Sequence, residues 1–309
     1  MRRAGARGLA LLQGGPSPAR DFHWAFGVRE PDVVGTVDVA TGEAALFVPR
    51  LPPEYAVWMG KVETPTEWRE RYAVDGVYYA DELGAKLEEW SPAEVHVLSG
   101  PNTDSGRDEA PPDLPELSGF TVSAGLLHGA AEGLRVIKTE EELEVMRLAG
   151  KVSSEAHVAV MRAARPGVME YELESLFRHV CYTRGGMRHC AYTPIVASGP
   201  NAATLHYGHA GAPNDRELRE GELVLCDMGG EMHCYASDIT CTWPTSGAFS
   251  EGQRAVYGAV LAAHGAVIAA MAPGVAWADM HRLAERTILE RLRAAGYLTC
   301  GTPDEWEAA

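Results

Sequence analysis

The chain contains one short unit twice: a helix, a turn built on Pro-Gly-Val, a second helix and a closing glycine. The turn is Arg-Pro-Gly-Val at 165–168 in the first copy and Ala-Pro-Gly-Val at 272–275 in the second. Apolar periodicity and a capping box at Thr139 predict four helices, at 139–165, 171–182, 252–271 and 279–294. Two copies of one supersecondary unit predict an internally duplicated domain.

Strand-forming sequence follows the two copies unequally. After the first copy come β-prone segments at 191–196 and around 223–243, whereas only 13 residues follow Gly296. We therefore expect the chain to stop before its second set of strands.

The first part of the chain has the pattern of a mixed α/β domain. Residues 33–39, 44–48 and 94–98 are predicted strands, and residues 66–72 and 81–90 are predicted helices. A loop rich in Pro, Gly and Asp at 100–119 precedes an expected domain boundary near Gly129–Gly133. We predict two domains, at 1–130 and 131–309.

Composition excludes several classes of function. The net charge of -16 repels phosphate backbones and anionic lipids, so we expect no nucleic acid or membrane partner. No apolar run approaches the ~18 residues that cross a bilayer. The 6 cysteines include no CxxC pair. This pattern is typical of reduced core thiols in a cytoplasmic protein.

Two acids bracket the stretch DMGGEMHCYASD. Asp227 follows the apolar run 223–226, and Asp238 precedes the β-prone run 239–243. If the flanking strands pair around a turn between Met232 and His233, near the flexible Gly229-Gly230, the two side chains face each other ~5 Å apart. At that separation they repel by about 3 kcal/mol at an effective dielectric of 20.

Three arrangements relieve such repulsion: a shared proton, a nearby arginine or a bound cation. Hard divalent ions such as Mn²⁺ and Mg²⁺ prefer oxygen ligands, and two bridged ions can activate water for attack on a carbonyl. The alternative is that Asp227 is a turn residue at a strand end and Asp238 a solvated surface acid. Spacing alone leaves both interpretations open.

Two histidines precede these acids in LHYGHAGAPND. His206 and His209 could orient a substrate near a metal, or they could be loop residues with ordinary hydrogen bonds. No GxSxG, P-loop or GxGxxG stands before a suitable strand and helix, so serine-hydrolase and nucleotide-binding functions lack support.

Several segments together resemble the prolidase (Xaa-Pro dipeptidase) family of M24 metallopeptidases. They are FHWAFGVREP, NTDSG, SSEAHVAVM, YELESLFRHVCYTRGGMRHCAYT, LHYGHAGAPND, DMGGEMHCYASDIT and PGVAWADMHRLAER. The resemblance implies an α+β chain: a creatinase-like, aminopeptidase P-like N-terminal α/β domain, then a pita-bread catalytic domain whose second half is incomplete here. It further implies a homodimer that hydrolyses Xaa-Pro dipeptides with two Mn²⁺ per subunit.

The resemblance also implies roles for individual residues. Asp227 and Asp238 match metal ligands, and His206 and Tyr192 match residues of the substrate site. Three further family ligands, a histidine and two glutamates, have no counterpart within 309 residues. We therefore expect impaired metal binding and activity. The alternative is a non-enzymatic protein that uses the fold for dimerisation or partner binding.

Overall fold

The structure is a computed structural model that describes residues 8–15, 20–102, 106–108, 110–208, 214–299 and 301. The chain divides into two compact units. The first contains Met1–Val145 with His233–Tyr235, and the second contains Met146–Met232 with Ala236–Ala309. The domain boundary predicted at residue 130 stays a prediction. In the part of the chain that is described, no helix has the length and apolarity to span a bilayer.

The N-terminal part alternates strands and helices. Its elements are β1 (Leu9–Gln13), α1 (Arg20–Phe26), β2 (Val34–Asp38), β3 (Ala44–Val48), α2 (Tyr55–Met59), α3 (Pro65–Tyr72), β4 (Gly76–Tyr79), α4 (Leu83–Trp90), β5 (Val95–Val97), β6 (Pro101–Asn102), β7 (Arg107–Asp108), β8 (Val122–Ser123) and α5 (Leu126–Val136). The strands and helices predicted here are confirmed within a few residues. Eight elements were not predicted: β1, α1, α2, β4, β6, β7, β8 and α5.

Six of these strands form one mixed sheet in the order β4-β3-β2-β1-β5-β8. One face packs against Phe22, Trp68 and Leu127, which come from α1, α3 and α5. The other face packs against Leu83 and Leu87 of α4. Both faces are therefore covered, as the near-continuous apolar sequence of β1 and β3 requires. Gly129 and Gly133 lie inside α5.

The second part of the chain contains the duplicated helices. Its elements are α6 (Glu140–Ala163), α7 (Glu170–Gly185), β9 (His189–Cys190), β10 (Ile195–Ser198), β11 (Leu223–Asp227), β12 (Gly230–Met232), β13 (Tyr235–Ala236), β14 (Thr240–Pro244), α8 (Glu251–Ala270) and α9 (Trp277–Ala294). The Thr139 capping box is present, because Thr139 and Glu142 exchange hydrogen bonds of 2.7 and 3.2 Å. Among the described residues, no strand follows α9.

The two Pro-Gly-Val turns share one backbone conformation. Gly167 and Gly274 both have a φ of 89°. Only glycine adopts this conformation without strain, so the turn fixes where each first helix ends and each second helix begins. This shared geometry agrees with the duplication inferred from sequence.

Sheet β10-β11-β14 contains Asp227, and Asp238 lies just before β14. A second sheet, β13-β12-β9, adjoins it along the chain. α6 and α7 supply buried apolar side chains to the same unit, among them Val152, Val160, Leu173 and Phe177. Val196 of β10 and Val224 of β11 are completely buried. α7 packs against β10 and β12, and α6 bonds to Ser237 and Met228, so the helix pair supports the strands beside the acids.

Candidate metal and substrate site

Asp227 ends one of two paired strands, and Asp238 lies two residues before the other strand. β11 ends at Asp227, β14 begins at Thr240, and these two residues are directly opposite each other in the antiparallel pair. Between them, β12 and β13 form a hairpin whose tip is His233-Cys234. Both tip residues have positive φ, 51° and 65°. Positive φ at two central residues is the signature of a type I′ hairpin turn.

The predicted register of this hairpin is wrong by two residues. The turn lies one residue later than predicted, so the residue opposite Asp227 is Thr240 and not Asp238. The predicted turn role of Gly229-Gly230 is also wrong, because Gly230 begins strand β12. Moving the centre of a hairpin by one residue changes each cross-strand partner by two residues. Because side chains alternate along a strand, the two acids nevertheless stay on one face.

The hydroxyl of Tyr192 brings both carboxylates together. It donates to Oδ1 of Asp227 in a short hydrogen bond and also lies 3.0 Å from Oδ1 of Asp238. Burial, and then the bond to Asp227, raise the pKa of Tyr192 well above its ordinary value. The phenol is therefore protonated at any physiological pH. A neutral hydroxyl has one proton to donate and no positive charge, so the negative charges of both carboxylates remain.

Close packing around Gly229 explains the glycine pair in DMGG. A Cβ on Gly229 would lie 1.8 Å from the carbonyl oxygen of Ser237 and 3.3 Å from the ring of Tyr192. A Cβ on Gly230 would lie 2.5 Å from the sulfur of Met187. These glycines let the strands and the Tyr192 ring approach each other.

Two side chains of helix α6 form hydrogen bonds with the residues that adjoin the two acids in the sequence. Ser153 Oγ lies 2.7 Å from Ser237 Oγ, and Ser237 precedes Asp238. His157, one turn later, bonds through Nε2 to the carbonyl oxygen of Met228 at 2.9 Å, and Met228 follows Asp227. Burial lowers the pKa of His157, which favours a neutral imidazole that donates this bond. The i, i+4 spacing of Ser153 and His157 in SSEAH was the available sequence signal for these two contacts.

His206 lies in a neighbouring segment and not in the Tyr192 group. It is exposed, in the turn region after β10 that is described as far as Gly208. Gly208 packs against Pro194 and Ile195, and Ile195 is the β10 residue opposite Asp227. The segment that carries His206 thus lies against the strand beside Asp227. His209 lies outside the described residues.

The donor set at these strand ends fits part of a site for a hard cation. Two carboxylates converge, one half-buried at Asp227 and one exposed at Asp238. Within the described ranges, no group of three or more His, Cys, Asp or Glu side chains is arranged to hold a metal. The acid pair therefore contributes two ligands and leaves further positions to other donors.

Comparison with known proteins decides the family. The model of metallopeptidase family M24 matches residues 144–302, which is more than half of the chain. The chain belongs to metallopeptidase family M24. The model of the aminopeptidase P N-terminal domain matches residues 17–98 of this M24 chain. The predicted family is confirmed.

Curated relatives and solved structures agree with this assignment. The human Xaa-Pro dipeptidase is 50% identical over 307 residues, which cover 95% of this M24 chain and 62% of the human protein. Aminopeptidase PepP from Pseudomonas aeruginosa has a TM-score of 0.83 at 31% identity, covering 97% of this chain and 72% of that one. A zinc-substituted aminopeptidase P from Escherichia coli, solved with product, has a TM-score of 0.84 at 27% identity and covers 97% of this chain and 72% of that one.

The predicted fold class is confirmed by these matches. An aminopeptidase P-type N-terminal domain precedes an M24 domain with the pita-bread arrangement, in an α+β chain. The chain spans about three-fifths of the human relative's length.

Proposed function

We propose that this chain is a metal-dependent exopeptidase for Xaa-Pro dipeptides. The observation that carries the proposal is the convergence of Asp227 and Asp238 on the hydroxyl of Tyr192. The human relative, at 50% identity, is a Xaa-Pro dipeptidase, which supports the same substrate class. Family M24 supports a divalent metal at the acid pair.

Mn²⁺, two ions per subunit, is the metal that we propose. Asp227 and Asp238 would hold it, because carboxylate oxygens suit Mn²⁺ and a cation removes their mutual repulsion. When bound, such ions supply a polarised carbonyl and an activated water for hydrolysis. Since the described residues contribute only these two ligands, we propose weak metal affinity and slow turnover for the 309-residue chain.

The remaining site residues act on orientation and binding. Tyr192, protonated throughout the working pH range, holds the carboxylate of Asp227 in a fixed rotamer. His206 is exposed and would contact the dipeptide from the turn beside β10. Hydrogen bonds from such side chains favour binding in one orientation, which brings the peptide bond towards the acids.

We also propose that the chain forms a homodimer and acts in the cytoplasm. Helix α2 contributes no buried residue, and its Val57 and Trp58 are 78% and 84% exposed. Exposed apolar side chains in one helix favour protein contact. Among the described residues, five cysteines form no disulfide, which supports a reducing compartment: Cys181, Cys190, Cys226, Cys234 and Cys241. Analytical ultracentrifugation of the purified chain tests the dimer.

The function is tested on the purified 309-residue chain with Gly-Pro as substrate. We expect slow hydrolysis that requires Mn²⁺, stops with a chelator, and disappears in Asp227→Asn. Gly-Ala serves as the substrate control and should be cleaved much more slowly. Hydrolysis that persists in chelator or in Asp227→Asn would contradict the metal role. Absence of both Mn²⁺ binding and turnover would contradict the proposed enzyme.

A further inference from the structure

The carboxylate of Glu170 lies at the start of α7 and is completely buried. Burial of a carboxylate is unfavourable unless hydrogen bonds replace its water. Its Oε1 accepts from the backbone N–H and the hydroxyl of Ser198, both at 2.7 Å. Its Oε2 accepts from the hydroxyl of Tyr207 at 2.8 Å and from the N–H of Arg216 at 3.2 Å. The side-chain amide of Asn201 donates to Oε1 and Oε2 at 3.3 and 3.4 Å. Five donor groups therefore meet one side chain.

These segments surround the turn that carries His206. Ser198 ends β10, Tyr207 directly follows His206, and Arg216 comes ten residues after His206 in the chain. The guanidinium of Arg216 donates to Ser198 Oγ at 2.8 Å and to both oxygens of Glu222 at 2.6 Å. The Ser198 hydroxyl thus links the positive charge of Arg216 to the Glu170 carboxylate. This charge offsets part of the desolvation cost of the carboxylate.

Asn214, which comes later in the chain, is a second anchor and is also completely buried. Its Oδ1 accepts from the N–H of Val196 at 2.8 Å, and its Nδ2 donates to the carbonyl of Pro194 at 3.0 Å. Its Nδ2 also donates to Glu174 of α7 at 2.6 Å. Because Asn214 does not contact Glu170, the Tyr207 bond can be removed while this second anchor stays.

We infer that Glu170 is a positioning residue for the substrate site, because its bond to Tyr207 fixes the turn from which His206 contacts the dipeptide. The inference rests on the proposed role of His206 as a substrate contact. Glu170 is buried below the turn, so it acts through Tyr207. The bond links a fixed helix start to the residue beside His206, and its loss lets the imidazole sample more positions. Dipeptide binding then becomes weaker.

Tyr207→Phe tests the inference with the smallest change. It removes one hydroxyl, which donates to Glu170 at 2.8 Å and also lies 3.3 Å from Oδ1 of Asp215. The bonds of Glu170 to Ser198, Asn201 and Arg216 remain. One hydrogen bond of this type corresponds to a factor of about 2 to 10 in an equilibrium constant. We expect KM for Gly-Pro to rise by about that factor. Mn²⁺ affinity and kcat should stay within about twofold, because the acid strands are not touched.

Tyr72→Phe is the matched control. Tyr72 donates its hydroxyl to Glu30 in the N-terminal unit, so it loses the same kind of bond away from the turn. Hydrogen exchange at the amides of residues 204–208 is the second measurement. It should become faster in Tyr207→Phe and stay unchanged in Tyr72→Phe. Glu170→Gln, which turns an amide NH₂ towards donors, should show larger changes in the same direction.

The outcomes separate the two proposals. Unchanged hydrogen exchange at 204–208 in Tyr207→Phe would show that the bond to Glu170 does not fix the turn, whether or not the chain is active. Faster exchange with an unchanged KM overturns the positioning role, because the bond would then be purely structural. A wild-type chain that neither binds nor cleaves Gly-Pro refutes the proposed function and with it the substrate part of this inference. Faster exchange together with a raised KM supports it.

Discussion

Neutralising one acid of the pair should stabilise the metal-free chain. Oδ1 of Asp227 and Oδ1 of Asp238 both lie within hydrogen-bonding distance of the Tyr192 hydroxyl. These two oxygens are therefore separated by roughly 6 Å at most. At an effective dielectric near 20, two charges at that distance repel by about 3 kcal/mol. Asp238 is exposed, and salt screening reduces the repulsion further, to about 1 kcal/mol. We expect Asp238→Asn to gain that amount without metal.

The same substitution should remove stabilisation by metal. A ligand at 100 times its Kd stabilises the folded state by about 2.7 kcal/mol. For a chain of this size, each kcal/mol changes Tm by about 2 to 4 °C. Differential scanning calorimetry with chelator and with saturating Mn²⁺ measures both effects. Wild type should gain about 5 to 10 °C on adding Mn²⁺. Asp238→Asn should begin slightly higher and gain almost nothing.

Asp279→Asn provides the control of equal charge change. Asp279 pairs with Arg282 on the surface of α9, away from the acid strands. Its substitution should leave the response to Mn²⁺ intact. The reasoning is refuted if Asp238→Asn lowers Tm in chelator, since repulsion between the acids would then be absent. It is equally refuted if Mn²⁺ stabilises Asp238→Asn as much as wild type.

Four further substitutions test the packing, the helix start and an alkaline transition. Gly229→Ala should cost more than about 3 kcal/mol in denaturant unfolding, because its Cβ would lie 1.8 Å from the Ser237 carbonyl oxygen. Gly258→Ala, in open space on α8, should instead stabilise by about 0.5 to 1 kcal/mol. Thr139→Ala should cost about 1 kcal/mol in the same assay through loss of its cap. Burial and the hydrogen bond to Glu30 raise the pKa of Tyr72 to about 12 from 10.0. The contribution of Tyr72 to the free energy of unfolding is therefore complete below about pH 10 and lost as the pH rises towards about 12. Denaturant midpoints on both sides of this window should show the loss in wild type and not in Tyr72→Phe.

Local features were predictable wherever a short sequence determines its own geometry. The capping box at Thr139 starts α6, and the glycines at 167 and 274 end the two first helices with the same φ. Strand β3 was predicted with its observed bounds, because the run Ala44–Val48 is apolar and flanked by turn residues. The helix α5 was missed because two glycines interrupt its sequence, and packing of Leu127 and Ala131 stabilises it in the fold.

Asp227, Asp238, Tyr192 and His206 were identifiable from the sequence as candidate site residues, while their arrangement was not. The hairpin turn uses His233-Cys234, which is not one of the Asn-Gly, Asp-Gly or Gly-Gly pairs that mark a type I′ turn in a sequence. The position of the turn, and with it the strand register, was therefore predicted wrongly. The contacts of Ser153, His157 and Glu170 join segments from 28 to 84 residues apart. Spacing along the chain carries little information about such distant partners.

The sequence by itself determined the helix pairs, their glycine turns, the acidic strand ends and the family. Each of these depends on interactions within one turn or strand, or on residue order alone. The tertiary structure decided which residue faces Asp227, that one phenol joins both acids, and that a buried carboxylate ties down the turn at His206. These arrangements depend on close packing between distant segments, where a shift of one residue or one Cβ changes which groups meet.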